Sequence, residues 1–250
     1  MTLSLITITH NNPDLQKTLY SVKNQTIYKS RFEHIIVDNF STDNTQEIIN
    51  NYIKNSPYKI TYIREKDTGR YNAMNKGIEI AKGDYLLFLN AGDCLHDKFV
   101  LAKVIPQLDN EIVYGDISGK SLSKYTIDKQ FFIDRTLFHQ ATFIKKDLFT
   151  KFGLYDEKLV ISSDFDFFIK AIIVNHATTK HLPLVITDYD QQGISSQKSD
   201  LVYQERALIL ARYFGGLNNY FKYFYYKNKY LFPKFLVIWQ QQRLAAKPKI

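Results

Sequence analysis

LLFLNAGD, residues 86–93, decides how the rest of the chain is read. An apolar run, Leu86 to Leu89, leads to Asn90, and three residues later an acid, Asp93, closes the segment. A short continuous apolar run of this kind fits a strand covered on both faces. A carboxylate at the end of such a strand needs a cation or several hydrogen-bond donors once it leaves water. Asp93 therefore either faces an open cleft or holds a cation.

Working back toward the N-terminus, the same strand-then-polar pattern recurs three times. LSLITIT (3–9) reads as a buried strand, and Asn12-Pro13 as the start of a helix whose Leu15, Leu19 and Val22 share one face. HIIVD (34–38) is the second strand, with Ser41 or Thr42 placed to cap a helix carrying Ile48, Ile49, Tyr52 and Ile53. KITYI (59–63) is the third, followed by a helix with Tyr71, Met74, Ile78 and Ala81 inward, and DYLLFLN is the fourth. Alternation of this kind predicts an α/β fold, a Rossmann-like, mostly parallel central sheet with helices on both faces. Ligands then bind outside the carboxyl ends of the strands. Those ends carry Thr9 to Asn12, then Asp38 with Ser41 and Asp43, then Asp67 to Arg70, then Asn90 and Asp93.

Beyond residue 110 the pattern loosens. EIVYGDI (111–117), LFHQATFI (137–144) and LPLVITDY (182–189) read as strands, and SSDFDFFIKAIIVN (162–175) as a helix. No Gly-rich phosphate loop follows the first strand, neither GxGxxG nor GxxxxGK[ST], which argues against a dinucleotide dehydrogenase and a P-loop enzyme. Carboxylates at strand ends without such a loop point to Mg²⁺ or Mn²⁺ bridging phosphates, since both prefer oxygen ligands.

The formal charge of +8 is localised: residues 207–250 hold eight basic residues, no acid and many Tyr and Phe. Basic residues interleaved with rings suit an anionic membrane surface. Aromatic packing on the main domain, a dimer interface or a single-stranded nucleic-acid surface are the other readings of the same rings. A boundary near residue 200 follows from this composition shift, giving a main domain of residues 1–200 and a helical extension of residues 201–250. The single Cys94 excludes an internal disulfide, and the opening residues lack the basic start of a signal peptide. The most apolar tail segment, YLFPKFLVIW, is interrupted by Pro233 and Lys234, so no bilayer span is expected. The chain reads as cytoplasmic, peripheral on the inner face of the membrane.

SLITITHNN, HIIVDNFSTDNT, DTGRYNAMNKGIEIAKGDYLLFLNAGD and SSDFDFF, in this order, resemble the successive motifs of family 2 glycosyltransferases, inverting nucleotide-sugar enzymes of the GT-A fold, here of the bacterial surface-polysaccharide type. The resemblance covers about residues 1 to 195. It implies that Thr9, Asn11 and Asp38 contact the nucleotide, Asp38 by accepting from a ring N–H of uracil. Asn75 and the Asp67–Tyr71 loop would close over it, with Arg70 reaching phosphate. The family's acidic metal motif is reduced here to Asn90-Ala91-Gly92-Asp93, which leaves Asp93 as the ligand for Mn²⁺ or Mg²⁺ and Asn90 as a hydrogen-bonding contact to sugar or ribose. Asn72 stands where relatives often carry Asp. The family's Glu/Asp-Asp pair at a helix start matches Ser163-Asp164 with its first acid missing. Asp164 is then the general base, with Asp166 its competitor, turned by about 200° around the helix. His139 and Gln140 would line the acceptor side, and Gln192 and Gly193 belong to a loop that would fold over the diphosphate.

The activity so implied is transfer of a hexose or N-acetylhexosamine from a UDP-sugar to a lipid-linked saccharide, as in O-antigen, capsule or exopolysaccharide assembly. A nucleotidyltransferase would need a basic loop after the first strand, which THNNPD does not supply. A non-catalytic sugar-nucleotide-binding or scaffold protein is the remaining alternative, given the thinned acids at Asn90, Gly92 and Ser163. No motif names the sugar, the linkage or the acceptor.

Overall fold

The computed structural model describes residues 2–189 and 199–215. Gln192, Gly193 and the tail from residue 216 onward lie outside the described residues. Strands β1 (Leu3–Thr9), β2 (Phe32–Asp38), β3 (Lys59–Arg64) and β4 (Tyr85–Phe88) fall where their apolar runs place them. After them come β5 (Cys94–Leu95), β6 (Ile112–Ile117), β7 (Thr142–Lys145) and β8 (Thr179–Asp188). All eight form one sheet in the order β3-β2-β1-β4-β7-β6-β8-β5.

The first four strands are parallel, with Thr9 in register with Asp38, so two polar strand ends meet side by side. The expectation of a mostly parallel sheet fails beyond β4. β7 runs antiparallel to both β4 and β6, and β5 antiparallel to β8, while β6 and β8 pair in parallel. The sheet is mixed because segment 118–141 leaves β6 at the carboxyl edge and turns into β7 from that same edge, without crossing back over a face as a parallel connection must. This brings the start of β7 beside the end of β4, where a candidate site should lie.

Helix α1 (Leu15–Lys23) buries Leu15, Leu19 and Val22, but it starts after Pro13. The Asn12 side chain makes the preceding turn, accepting from Asp14 N–H at 2.8 Å and donating to the Ala91 carbonyl at 3.1 Å. Helix α2 (Thr45–Asn55) is preceded by Asn44 instead of capped by Ser41 or Thr42, because the Ser41 hydroxyl is committed to Asp38; Ile53 stays exposed. Helix α3 (Arg70–Ile80) buries Tyr71, Met74 and Ile78. Short helices α4 (Val100–Val104), α5 (Lys129–Asp134) and α6 (Asp147–Phe152) follow. Helix α7 (Ser163–Phe168) runs into a π-helical turn, Ile169–Val174, and α8 (Ser199–Phe214) closes the described chain.

Side chains alternate across each strand, so β1 divides its residues between two cores. Leu3 and Leu5 pack with Val22 of α1 and Leu101 and Val104 of α4. Ile6 packs on the opposite face with Met74 of α3, Phe165 and Phe168 of α7, and Ile209 and Leu210 of α8. Each such fully buried side chain contributes about 1.5–3 kcal/mol. Helix α8 begins where the sequence placed the start of an extension, yet its Ile209 and Leu210 are buried in the main core while Leu208 stays exposed. No helix among the described residues is long and apolar enough to cross a membrane.

One polar line runs through the core beneath α2. Thr7 donates its hydroxyl to the Leu89 carbonyl at 2.8 Å, so it accepts from His34 Nε2–H at 2.9 Å. His34 Nδ1 then accepts from the Tyr52 hydroxyl at 2.8 Å. His34 is fully buried, and desolvation lowers its pKa to about 3.

Candidate active site

At the β1 and β2 ends, Asp38 is completely buried and its carboxylate is surrounded by donors. Oδ1 accepts from Ser41 N–H at 3.0 Å and the Ser41 hydroxyl at 2.5 Å, and Oδ2 from the Tyr62 hydroxyl at 3.0 Å, with Arg64 Nε at 3.6 Å. Burial, together with Asp38, pushes the Tyr62 phenol up to about 12, so it remains a donor at neutral pH. Asn11, at a left-handed φ of 45°, ties β1 to this loop: its N–H donates to Ser41 Oγ at 2.9 Å and its Oδ1 accepts from Thr42 N–H at 2.8 Å. The Thr9 hydroxyl is buried without a hydrogen-bond partner among the described residues, an orphan that a bound ligand would satisfy.

The Asp67 loop is moored to the same place. Asn39 Oδ1 accepts from Asp67 N–H at 2.9 Å, and Asp67 Oδ1 accepts from Gly69 N–H at 3.0 Å. Desolvation raises the Asp67 carboxyl above its ordinary value. Gly69 sits at φ 152° immediately before α3, a conformation that side chains rarely adopt, and Arg70 begins the helix. Asn75 is placed differently from the expectation. It is buried in the wall, donating to the Tyr155 carbonyl at 3.0 Å and Glu157 Oε1 at 2.9 Å, and accepting from Tyr155 N–H at 3.0 Å. Asn72 donates to the other oxygen of Glu157 at 3.0 Å.

Residues 90–93 form a tight turn: Asp93 N–H donates to the Asn90 carbonyl at 3.0 Å, with Gly92 at φ 105° and its N–H on Thr18 Oγ1 at 2.9 Å. Asp93 is 6% exposed. No cluster of three or more His, Cys, Asp or Glu stands ready for a metal among the described residues. One carboxylate is too few to hold a divalent ion alone, but it fits an ion that takes its other oxygens from a diphosphate and water, as Mg²⁺ commonly does.

The third group gathers around α7. His139 does not lie on a strand: His139–Ala141 is a 3₁₀ turn ahead of β7. From there His139 Nδ1 meets Asp164 Oδ2 at 2.9 Å, and its Nε2 meets Asn90 Nδ2 at 3.2 Å. The Tyr71 hydroxyl reaches both the Ile161 carbonyl and Asp164 Oδ1, the latter at 2.9 Å. Burial pushes the Asp164 carboxyl up, but His139, Tyr71 and Arg206 outweigh it and hold the group below the ordinary carboxylate range. Asp166, the competitor, is turned to α8, where Arg212 Nη1 lies 3.0 Å away; burial raises its pKa despite that cation. Gln140 is buried, its carbonyl accepting from the Thr187 hydroxyl at 2.6 Å.

Helix α8 supplies partners that sequence reasoning missed. Glu205 accepts from three consecutive backbone N–H groups, Val160, Ile161 and Ser162, at 2.6, 2.9 and 2.8 Å, and so fixes the entry to α7. The Arg206 guanidinium lies 4.9 Å over the Phe165 ring. The spacing of Tyr71 predicts a core residue, which is right for the ring and silent about its hydroxyl.

A family model described as Glycosyl transferase family 2 matches residues 4–162, more than half of the chain. The chain belongs to glycosyl transferase family 2. This family 2 domain is 33% identical over 171 residues to a PGL/p-HBAD biosynthesis glycosyltransferase of Mycobacterium tuberculosis, a match covering 65% of this chain and 66% of that one, just under two thirds of its length. It is 30% identical over 210 residues to an uncharacterized glycosyltransferase of the same organism, covering 79% of this chain and 78% of that one. Among solved structures it is similar to S. aureus TarS 1–349 in complex with UDP-GlcNAc, with TM-score 0.67, 19% identity, and coverage of 92% of this chain and 77% of that one. It is also similar to the mannosyltransferase PcManGT of Pyrobaculum calidifontis in complex with GDP-Man and Mn²⁺, with TM-score 0.67, 15% identity, and coverage of 86% and 64%. These likenesses show the fold, a GT-A-like α/β domain with a mixed sheet.

Proposed function

We propose that this family 2 protein is an inverting glycosyltransferase that moves a hexose or N-acetylhexosamine from a UDP-sugar to a lipid-linked saccharide in bacterial surface-polysaccharide assembly. The observation that carries the reading is Asp164, a half-buried carboxylate at the head of α7, held by His139 and Tyr71 beside the end of β4. A single displacement needs one such group. Asp164 takes the proton of the acceptor hydroxyl as that oxygen attacks the anomeric carbon, the bond from that carbon to the diphosphate oxygen breaks, and configuration inverts.

Thr9, Asn11 and Asp38 are assigned to the nucleoside, with the orphan Thr9 hydroxyl and the strand-end position of Asp38 in support. Arg70, at the N-terminus of α3, is assigned to phosphate, where the helix dipole also favours an anion. Asp93 would hold a divalent ion brought by the diphosphate, and that ion would neutralise charge on the leaving group. The Mn²⁺ bound with GDP-Man in the mannosyltransferase neighbour supports this choice of cofactor. The UDP-GlcNAc complex of TarS supports a uridine donor. Gln140 stays assigned to the acceptor side, and the basic tail of residues 207–250 to an anionic membrane surface where a lipid-linked acceptor would be met.

Calorimetric titration with UDP, GDP and dTDP, with and without Mn²⁺, tests the donor and metal assignments. UDP binding that is strengthened by Mn²⁺ and loses that dependence in Asp93→Ala is expected. Binding indifferent to both metal and substitution would remove Asp93 from the site, and a preference for GDP would overturn the uridine donor.

A further inference from the structure

Asn90, His139 and Asp164 come from the end of β4, the 3₁₀ turn before β7 and the head of α7, and they form one hydrogen-bonded line. The two links are Asn90 Nδ2 to His139 Nε2 at 3.2 Å and His139 Nδ1 to Asp164 Oδ2 at 2.9 Å. A carboxamide NH₂ only donates, so Nε2 of the ring must accept, and a neutral imidazole with an accepting Nε2 carries its proton on Nδ1. That is the nitrogen facing the carboxylate.

We propose that Asn90 and His139 are positioning residues for Asp164: Asn90 selects the Nδ1–H tautomer of His139, and that N–H keeps the carboxylate ionised and in one orientation. The proposal rests on the reading of Asp164 as the base. It accounts for Asn90 standing where the family pattern has an acid. An Asp at position 90 could only accept, which would draw the ring proton to Nε2 and either take the donor from Asp164 or create an imidazolium shared between two carboxylates. The other orientation of the Asn90 amide, with its buried Oδ1, unpartnered among the described residues, toward the ring, would likewise need an Nε2–H and therefore an imidazolium.

His139 matters because Asp164 is deeply enclosed; the side chains of the pair are only 16% and 15% exposed. The groups facing Asp164 are His139, Tyr71 from α3, Tyr155 from the segment before α7, and Arg206 from α8. The two phenols carry no charge at neutral pH, since burial raises both well above the ordinary tyrosine value. With His139 removed, burial is opposed by the hydrogen bonds from the Tyr71 hydroxyl and the Phe165 N–H, each 2.9 Å from Oδ1, and by the Arg206 charge, and the carboxyl moves upward.

The test is UDP release from UDP-N-acetylglucosamine with Mn²⁺, water serving as acceptor, followed from pH 4.5 to 8.5, with ¹⁵N NMR of the histidine rings as a second readout that needs no turnover. His139→Ala should move the acidic limb of kcat upward by about one pH unit or more and lower kcat about ten- to a hundredfold, with KM changed much less. His139→Gln, whose amide can still donate, should recover most of the limb. In the wild type the His139 ring should be the neutral Nδ1–H tautomer at pH 7.5, and in Asn90→Ala the Nε2–H form should appear. An unmoved acidic limb in His139→Ala, or a wild-type ring protonated on Nε2, overturns the proposal. Full turnover in Asp164→Asn would instead overturn the base assignment beneath it. Unchanged thermal unfolding of His139→Gln separates positioning from loss of fold.

Discussion

His34 makes acid stability calculable. Its ring is buried, neutral and satisfied on both nitrogens by Thr7 and Tyr52, and burial lowers its pKa from 6.5 to about 3. Below pH 6.5 the unfolded chain takes up a proton at this residue and the folded chain does not until about pH 3, so stability is present above that window and falls as pH drops through it. Each full pH unit costs about 1.4 kcal/mol, and with the unfolded histidine already half protonated at pH 6.5 the loss between pH 6.5 and 4.5 is about 2 kcal/mol from this residue alone. Urea unfolding of the wild type and His34→Gln at half-unit steps from pH 7 to 4.5 isolates the effect. Glutamine offers a donor and an acceptor without titrating, and the carboxylates common to both proteins cancel in the difference. The stability gap should shift in favour of His34→Gln by about 2.5 kcal/mol between pH 7 and 4.5. A gap that stays flat, or widens in the wild type's favour, would mean that His34 is not held neutral in the core.

Three further substitutions carry signs that the packing decides. Gly77→Ala should destabilise by about 1–2 kcal/mol despite alanine's better helix propensity, because the new Cβ would lie 2.5 Å from Ile6 Cγ2, itself fully buried; thermal unfolding reads this directly. Glu205→Ala strips acceptors from the buried N–H groups of Ile161 and Ser162, and a loss of about 2–5 kcal/mol in urea unfolding is expected, together with slower turnover as the entry to α7 loosens. Thr9→Val removes a buried hydroxyl that has no partner among the described residues, so thermal stability should hold or rise while calorimetry shows UDP binding weakened about tenfold.

What was legible in the sequence follows from range. The first four strands could be read because each is an apolar run ended by a polar residue, and Asp38, Thr9 and Asn90 lie at strand ends for that reason. The turn at His139 was not legible from LFHQATFI, which has strand composition. There the Thr142 hydroxyl bonds back to the Phe138 carbonyl at 2.7 Å and Ala141 N–H to the same carbonyl at 2.9 Å, so local side-chain chemistry overrides the pattern. The reversal of β7, the capture of Asn75 by Tyr155 and Glu157, and the clamp of Glu205 on residues 160–162 all join segments 43 or more positions apart. No periodicity within one segment encodes such pairings. The charge gradient after residue 206 is a change in composition, and within it Ile209 and Leu210 are buried in the main core.

The most direct measurement is the rate of UDP release from UDP-N-acetylglucosamine by Asp164→Asn beside the wild type, with UDP affinity measured on both. The expected result is a fall in kcat of about a hundredfold or more with UDP affinity unchanged, the signature of a lost general base in an intact site. Wild-type turnover in Asp164→Asn would contradict the assignment of Asp164 and the displacement mechanism built on it.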